Sequence, residues 1–168
     1  MKQESHVQER MVITVVDGDG NIIDTRETYR ATLTQRIKKW LGFGKCYADD
    51  LITDICLADI AEFLTTQYGY ISIGTGTTAP ARTDTQLEAE ILSRIAATVS
   101  TSTTFYTGDT AVFRATFTPT YDVGITESGL HKMPTSSGDR MGAREKFTAL
   151  PCPAGTGVTI EWQIVTMR

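Results

Sequence analysis

Residues 158–166, VTIEWQIVT, alternate in character: Val158, Ile160, Trp162 and Ile164 fall on one face, Thr159, Glu161 and Gln163 on the other. A period of two marks a half-buried β-strand. Residues 111–118, AVFRATFT, repeat the pattern, with Ala111, Phe113, Ala115 and Phe117 opposite Arg114, Thr116 and Thr118. Between them lie TYDVGITESGLHKM (120–133) and AREKFTALP (143–151), which read as strands parted by the turn-like MPTSSGDRMG. Short strands with turn signals every few residues, and no helices alternating with them, predict a mainly β chain: an antiparallel β-sandwich of Greek-key or jelly-roll type.

Working outward, residues 70–74, YISIG, read as another strand. Residues 11–16 and 22–30 form two β-rich runs around DGDGN, a hairpin with glycines at its turn. Asp17, Asp19 and Asn21 start like a calcium loop, but Ile22 replaces its glycine and Thr28 its bidentate glutamate. Two or three short helices are expected in the N-terminal half. One spans residues 32–41, with Leu33, Ile37, Trp40 and Leu41 on one face. A helical segment over 45–66 opens at Asp49 or Asp50 and carries Ile52, Ile55, Cys56, Ile60, Phe63 and Leu64 as its apolar stripe. A third starts at Thr85, where Glu88 stands at capping-box spacing ahead of Leu87, Ile91, Leu92 and Ile95. The organisation is then a polar N-terminal arm, 1–10, followed by one domain, 11–168.

Composition fits one domain and excludes several functions. The 168 residues carry 16 Lys+Arg against 20 Asp+Glu. Neither half has the basic excess that phosphate neutralisation requires, so no nucleic-acid partner is expected. No apolar run approaches the ~20 residues of a membrane span, and the leader MKQESHVQER lacks the apolar core of a secretory signal. Cys46, Cys56 and Cys152 are odd in number and sit at no metal-ligand spacing; thiols are the plain reading, a disulfide the alternative. With only His6 and His131 as histidines, no metal or cofactor is expected. Threonine is the outlier: 28 residues, 20 of them between Thr75 and Thr166, as expected for hydroxyl-lined sheet faces.

No catalytic set emerges. Gly74 and Gly76 suggest a phosphate loop, but Ala79 stands where a dinucleotide fingerprint has its third glycine. His131 has Ser128 nearby with no third partner evident, and the pairs Glu88/Glu90 and Asp49/Asp50 do not share a helix face. Glu127 follows Ile125 by two residues and so points toward the core side. A carboxylate there is turned out by a bulge at Gly129, or is buried as a structural group bonded to backbone N–H groups or an arginine such as Arg144.

The runs ISIGTGTTAPARTDTQLEAEI (71–91), VFRATFT (112–118), GITESGL (124–130) and VTIEWQIV (158–165), in this order, resemble a group of small virion proteins of tailed viruses, bacteriophages included. Its members share a Gly/Thr loop with proline, a TDTxLxxE segment, an IxExGL strand and a closing alternating strand. The likeness covers residues 70–168 well, 11–41 loosely and 45–66 hardly at all. It implies a non-enzymatic structural protein located in the virion, as capsid decoration or tail component. It also implies a homo-oligomer, a trimer or a ring, in contact with capsid or tail subunits. The expected contact surfaces are the arm and two loops, with Gly74, Thr75, Gly76, Thr77 and Pro80 in one and Pro134, Ser136 and Ser137 in the other. The alternative is a receptor- or glycan-binding module of a tail fibre, for which Tyr68, Tyr70, Tyr106 and Tyr121 supply the aromatics. A glycosidase would need two convergent carboxylates.

Overall fold

The computed structural model describes residues 7–16, 21–30 and 52–166. Among these residues nine strands and one helix follow in the order β1 (Val7–Val16), β2 (Ile22–Arg30), α1 (Asp54–Gln67), β3 (Tyr70–Gly74), β4 (Ile95–Ala96), β5 (Thr98–Ser102), β6 (Thr110–Phe117), β7 (Val123–His131), β8 (Met141–Cys152) and β9 (Gly157–Thr166). They make two antiparallel sheets: a five-stranded one ordered β2-β1-β9-β6-β5, and a four-stranded one ordered β4-β3-β7-β8.

The alternating segments lie at the centre of the larger sheet. β9 pairs with β1 from Val7↔Thr166 to Val16↔Gly157, and with β6 from Thr110↔Val165 to Phe117↔Val158. Phe113, Phe117, Val158, Ile160 and Trp162 are buried in a cluster that also takes in Ile71, Ile73, Leu130, Ala143 and Leu150 of the smaller sheet, so both sheets share one core. Trp162 Nε1 donates to Ser128 Oγ (3.3 Å), tying β9 of one sheet to β7 of the other. On the opposite face of β9, Thr159 lies 2.8 Å, hydroxyl to hydroxyl, from Thr116 of β6. Threonine side chains satisfy each other across the ladder there.

Two devices join the sheets at their margins. β4 belongs to the smaller sheet and β5 to the larger, with only Ala97 between them; its N–H bonds Gly69 O (2.8 Å) where the chain changes sheet. On the other side Arg26 of β2 reaches across to the Thr148 carbonyl of β8 (2.9 Å).

Several expectations change. β1 begins at Val7 and pairs on both sides, so residues 7–10 belong to the sheet rather than to an arm. The helix expected over 32–41, the 17–20 turn with Asp17 and Asp19, and residues 45–51 lie outside the described residues. α1 starts at Asp54, not Asp49 or Asp50, because Thr53 caps it by accepting from Cys56 N (3.3 Å). Its buried residues are Leu57 and Ala61, with Leu64 packed on the core, whereas Ile55 is 74% and Phe63 56% exposed. Small Ala61 lets the helix axis come close to the ends of β5, β6 and β9, and the Thr166 hydroxyl lies 2.9 Å from Leu57 O. Counting apolar residues picked the larger stripe; close approach selected the smaller one. The helix expected from Thr85 is also absent: among residues 52–166 only α1 is an α-helix, and residues 85–94 run beside β3 through Thr75 N–Ala89 O (2.9 Å) and Ile91 N–Ile73 O (3.2 Å).

Leu57→Ala should lower the free energy of unfolding by about 2–5 kcal/mol through the cavity it leaves. Ile55→Ser should stay within about 0.5 kcal/mol of the parent. Urea unfolding of both variants checks this; the reverse ranking would place the helix in the other phase.

Candidate functional site

The polar residues singled out from the sequence converge on the smaller sheet, in two clusters built from the β3–β4 and β7–β8 connections. Glu127 anchors the first. Ile125 and Leu130 both lie in the core although five residues apart, which a two-residue period forbids; the register shift of β7 against β8 between Ile125 and Glu127 resolves this. Glu127 therefore leaves the inter-sheet core and is sealed, 0% exposed, beneath the β3–β4 connection. No bulge at Gly129 turns it out, since the shifts fall on either side of that residue.

An ionised carboxylate removed from water needs donors on both oxygens. Glu127 Oε1 accepts from Gly76 N (3.0 Å) and Ala89 N (2.9 Å), and Oε2 from Glu88 N (3.3 Å) and Arg144 Nε (2.9 Å), with Arg144 Nη2 at 2.8 Å. Arg144 also holds Asp84 (2.6 Å). Glu88 turns away from the helix-capping role expected of it and accepts from Thr77 N (2.7 Å), Thr78 N (2.8 Å) and the Thr78 hydroxyl (2.8 Å). Those bonds hold Glu88 below the ordinary carboxylate range; the Ala81 N–H and then Arg144 do the same for Asp84. Neither has the raised pKa of a general acid.

The glycines complete the cradle. A Cβ on Gly74 would stand 2.5 Å from Glu127 Oε1 and 2.6 Å from Ala89 O, and one on Gly76 would meet the same oxygen. The anion-binding look of GTG is thus answered by an internal anion. Of the residues expected at contact surfaces, Gly74 and Gly76 are buried, Thr75 and Pro80 are half-buried, and Thr77, Pro134, Ser136 and Ser137 are exposed.

The second cluster was not legible from the sequence. His131 Nδ1 lies 2.6 Å from Asp139 Oδ2, and its Nε2 lies 2.7 Å from Ser72 Oγ. Asp139 also accepts from Arg94 Nη1 (2.7 Å) and Met133 N (3.0 Å), and Arg94 holds Glu90 (3.0 Å). The carboxylate only accepts, so the neutral imidazole carries its proton on Nδ1 and receives one from Ser72. Burial lowers the pKa of His131 and outweighs the bond to Asp139. Burial would raise Asp139, but bonds from His131, Met133 N–H and Arg94 hold it low.

Ser–His–Asp connectivity is the arrangement of acyl transfer, which also requires that a substrate reach the nucleophile. Ser72 and His131 are fully buried. Asp139 sits on the β7–β8 connection, so lifting that connection would remove the third member. Ser128, near His131 in sequence, instead donates to Ser72 O (2.9 Å) and receives Trp162.

Other candidates disperse. Tyr68 and Tyr70 flank the start of β3, Tyr106 lies in the β5–β6 turn and Tyr121 in the β6–β7 connection; only Tyr121 is exposed. Cys56 is an exposed free thiol, and Cys152 a buried one whose pKa burial pushes up. Asp109 gathers the N–H groups of Thr104 (2.8 Å), Phe105 (2.8 Å) and Tyr106 (2.9 Å), tying down the β5–β6 turn. Among the described residues no group of three or more His, Cys, Asp or Glu is placed to hold a metal ion, and no helix is long and apolar enough to cross a membrane.

Glu127→Gln should cost about 3 kcal/mol, because Arg144 loses its buried anionic partner. Gly76→Ala should cost about 1–3 kcal/mol by forcing the carboxylate aside. Denaturant unfolding measures both, and a neutral Gly76→Ala would mean the cradle tolerates a side chain. Compared with known protein families, curated proteins and solved structures, the chain matches none.

Proposed function

We propose that this chain is a non-enzymatic structural protein of a tailed virus, built as a β-sandwich of jelly-roll type. It sits in the virion, decorating the capsid or forming part of the tail. It joins copies of itself in a trimer or a ring and touches capsid or tail subunits. One observation carries this reading: the residues on which the resemblance rests work internally. Gly74 and Gly76 make room for Glu127, Asp84 braces Arg144, Leu87 is buried, and Glu90 grips Arg94. A motif spent on fixing the path of a loop supports a protein whose product is shape.

Loops held by internal ion pairs on a two-sheet body suit an assembly that repeats one contact many times. The surface left for such contacts includes Thr77, Pro134, Ser136 and Ser137, all exposed. Deleting residues 1–10 would also strip four residues from β1, so a test of the arm removes residues 1–6 only.

A reconstruction of the intact particle should contain density for two packed sheets of this size at symmetry-related positions; their absence from every ordered layer would overturn the reading. Replacing Ser136 and Ser137 together by arginine should weaken binding to particles that lack the protein by about tenfold, with an unchanged melting temperature. Undiminished binding would remove this loop from the interface.

A further inference from the structure

The connection between β7 and β8 is fastened to the sheet by the His131 cluster. Within it, Lys132 N bonds Arg140 O (3.4 Å), Asp139 N bonds Ser136 O (3.4 Å), and Gly138 takes a positive φ of 69° to close the turn. Arg94, from the β3–β4 connection, donates to Met133 O (3.2 Å), Thr135 O (3.0 Å) and Asp139. His131 completes the fastening from beneath.

We infer that His131, clamped between Ser72 and Asp139, is an acid-sensitive latch: protonation of its ring favours release of residues 132–140 from the sheet. The closed site accepts a neutral ring. Nε2 takes the Ser72 proton, and among the described residues that hydroxyl has no second partner. A proton on Nε2 would point at Ser72 Oγ, strand the hydroxyl hydrogen and place a charge where water does not reach. Lifting the connection hydrates the ring and restores its ordinary basicity.

The charged and titratable groups around the ring are Asp139, Lys132 and Arg140 on its own connection, Glu90 and Arg94 on the β3–β4 connection, and Tyr68 between α1 and β3. Lys132 is turned to Gln67 (2.7 Å). His131 is the one histidine among them. Between the open-state pKa near 6.5 and the lower closed-state value, the open form binds more protons. Acid therefore drives opening, by up to about tenfold per pH unit, and the effect levels off once the closed form also protonates. Opening carries Pro134, Ser136 and Ser137 away from the body, and this consequence holds whether or not that loop is a virion contact.

Amide hydrogen exchange on the whole protein, expressed as protection factors from pH 7.5 to 5, tests the latch. Protection of Lys132, Met133 and Asp139 should fall by up to about tenfold per unit below pH 6.5, while Phe113 and Trp162 keep theirs. His131→Asn should flatten that slope. Ser72→Ala removes the bond that favours the neutral ring, so its slope should shrink; this milder variant decides the matter should His131→Asn not fold. A wild-type slope of zero, an unchanged slope in Ser72→Ala, or core amides losing protection in parallel would each overturn the latch.

Discussion

A carboxylate taken entirely out of water sets the terms for the smaller sheet. Glu127 requires donors around both oxygens, and three separate segments supply them: Gly76, the Glu88–Ala89 backbone and Arg144. A buried ion pair is weak evidence of net stability, since desolvation offsets much of its attraction. What it enforces is geometry. The β3–β4 connection must present its N–H groups inward at two places twelve or more residues apart, and the Ala89 N–H given to Glu127 is the one a helix capped at Thr85 would need for its first i→i−4 bond. The same demand explains why Gly74 and Gly76 carry no side chain.

The larger sheet obeys a simpler rule. Its central strands bury alternate residues against the other sheet, and the threonines between them pair with one another, as Thr116 does with Thr159. Where both faces of β9 are covered, at Val165 and Thr166, the cover is local. The Thr166 hydroxyl lies between the carbonyls of Leu57 and Asp109, so the end of the strand, α1 and the β5–β6 turn are joined through one side chain. Threonine serves here as a β-branched strand former that also closes polar contacts.

How much of this was readable from the sequence depended on the range of the interaction. Alternation in 111–117 and 158–164 is local, and it located the strands of one core. Glu127 was found because a charge two residues from Ile125 poses a problem wherever the strand lies, and Arg144 was a named solution. The segment from Thr85 misled because Thr85 and Glu88 have helix-capping spacing, while the competing demand comes from a residue about 40 positions away. α1 misled in phase, since apolar count cannot weigh how closely Ala61 lets a helix approach. The partners of His131 were beyond reach: Ser72 becomes its neighbour only through the pairing Tyr70↔His131 and Ser72↔Gly129, which no spacing encodes.

The Ser72–His131–Asp139 chain separates connectivity from function. In a hydrolase the acid orients the base from a rigid wall, and the nucleophile faces a cleft. Here the acid rides on the β7–β8 connection, bound at the same time to Arg94 and Met133 N, and the fully buried Ser72 hydroxyl faces the His131 ring. Ser72 and His131 are fully buried in this arrangement, and the Asp139 that orients the ring belongs to the β7–β8 connection rather than to the sheet. As placed, Ser72, His131 and Asp139 form a buried hydrogen-bonded network, and such networks specify one position for the chain that carries them.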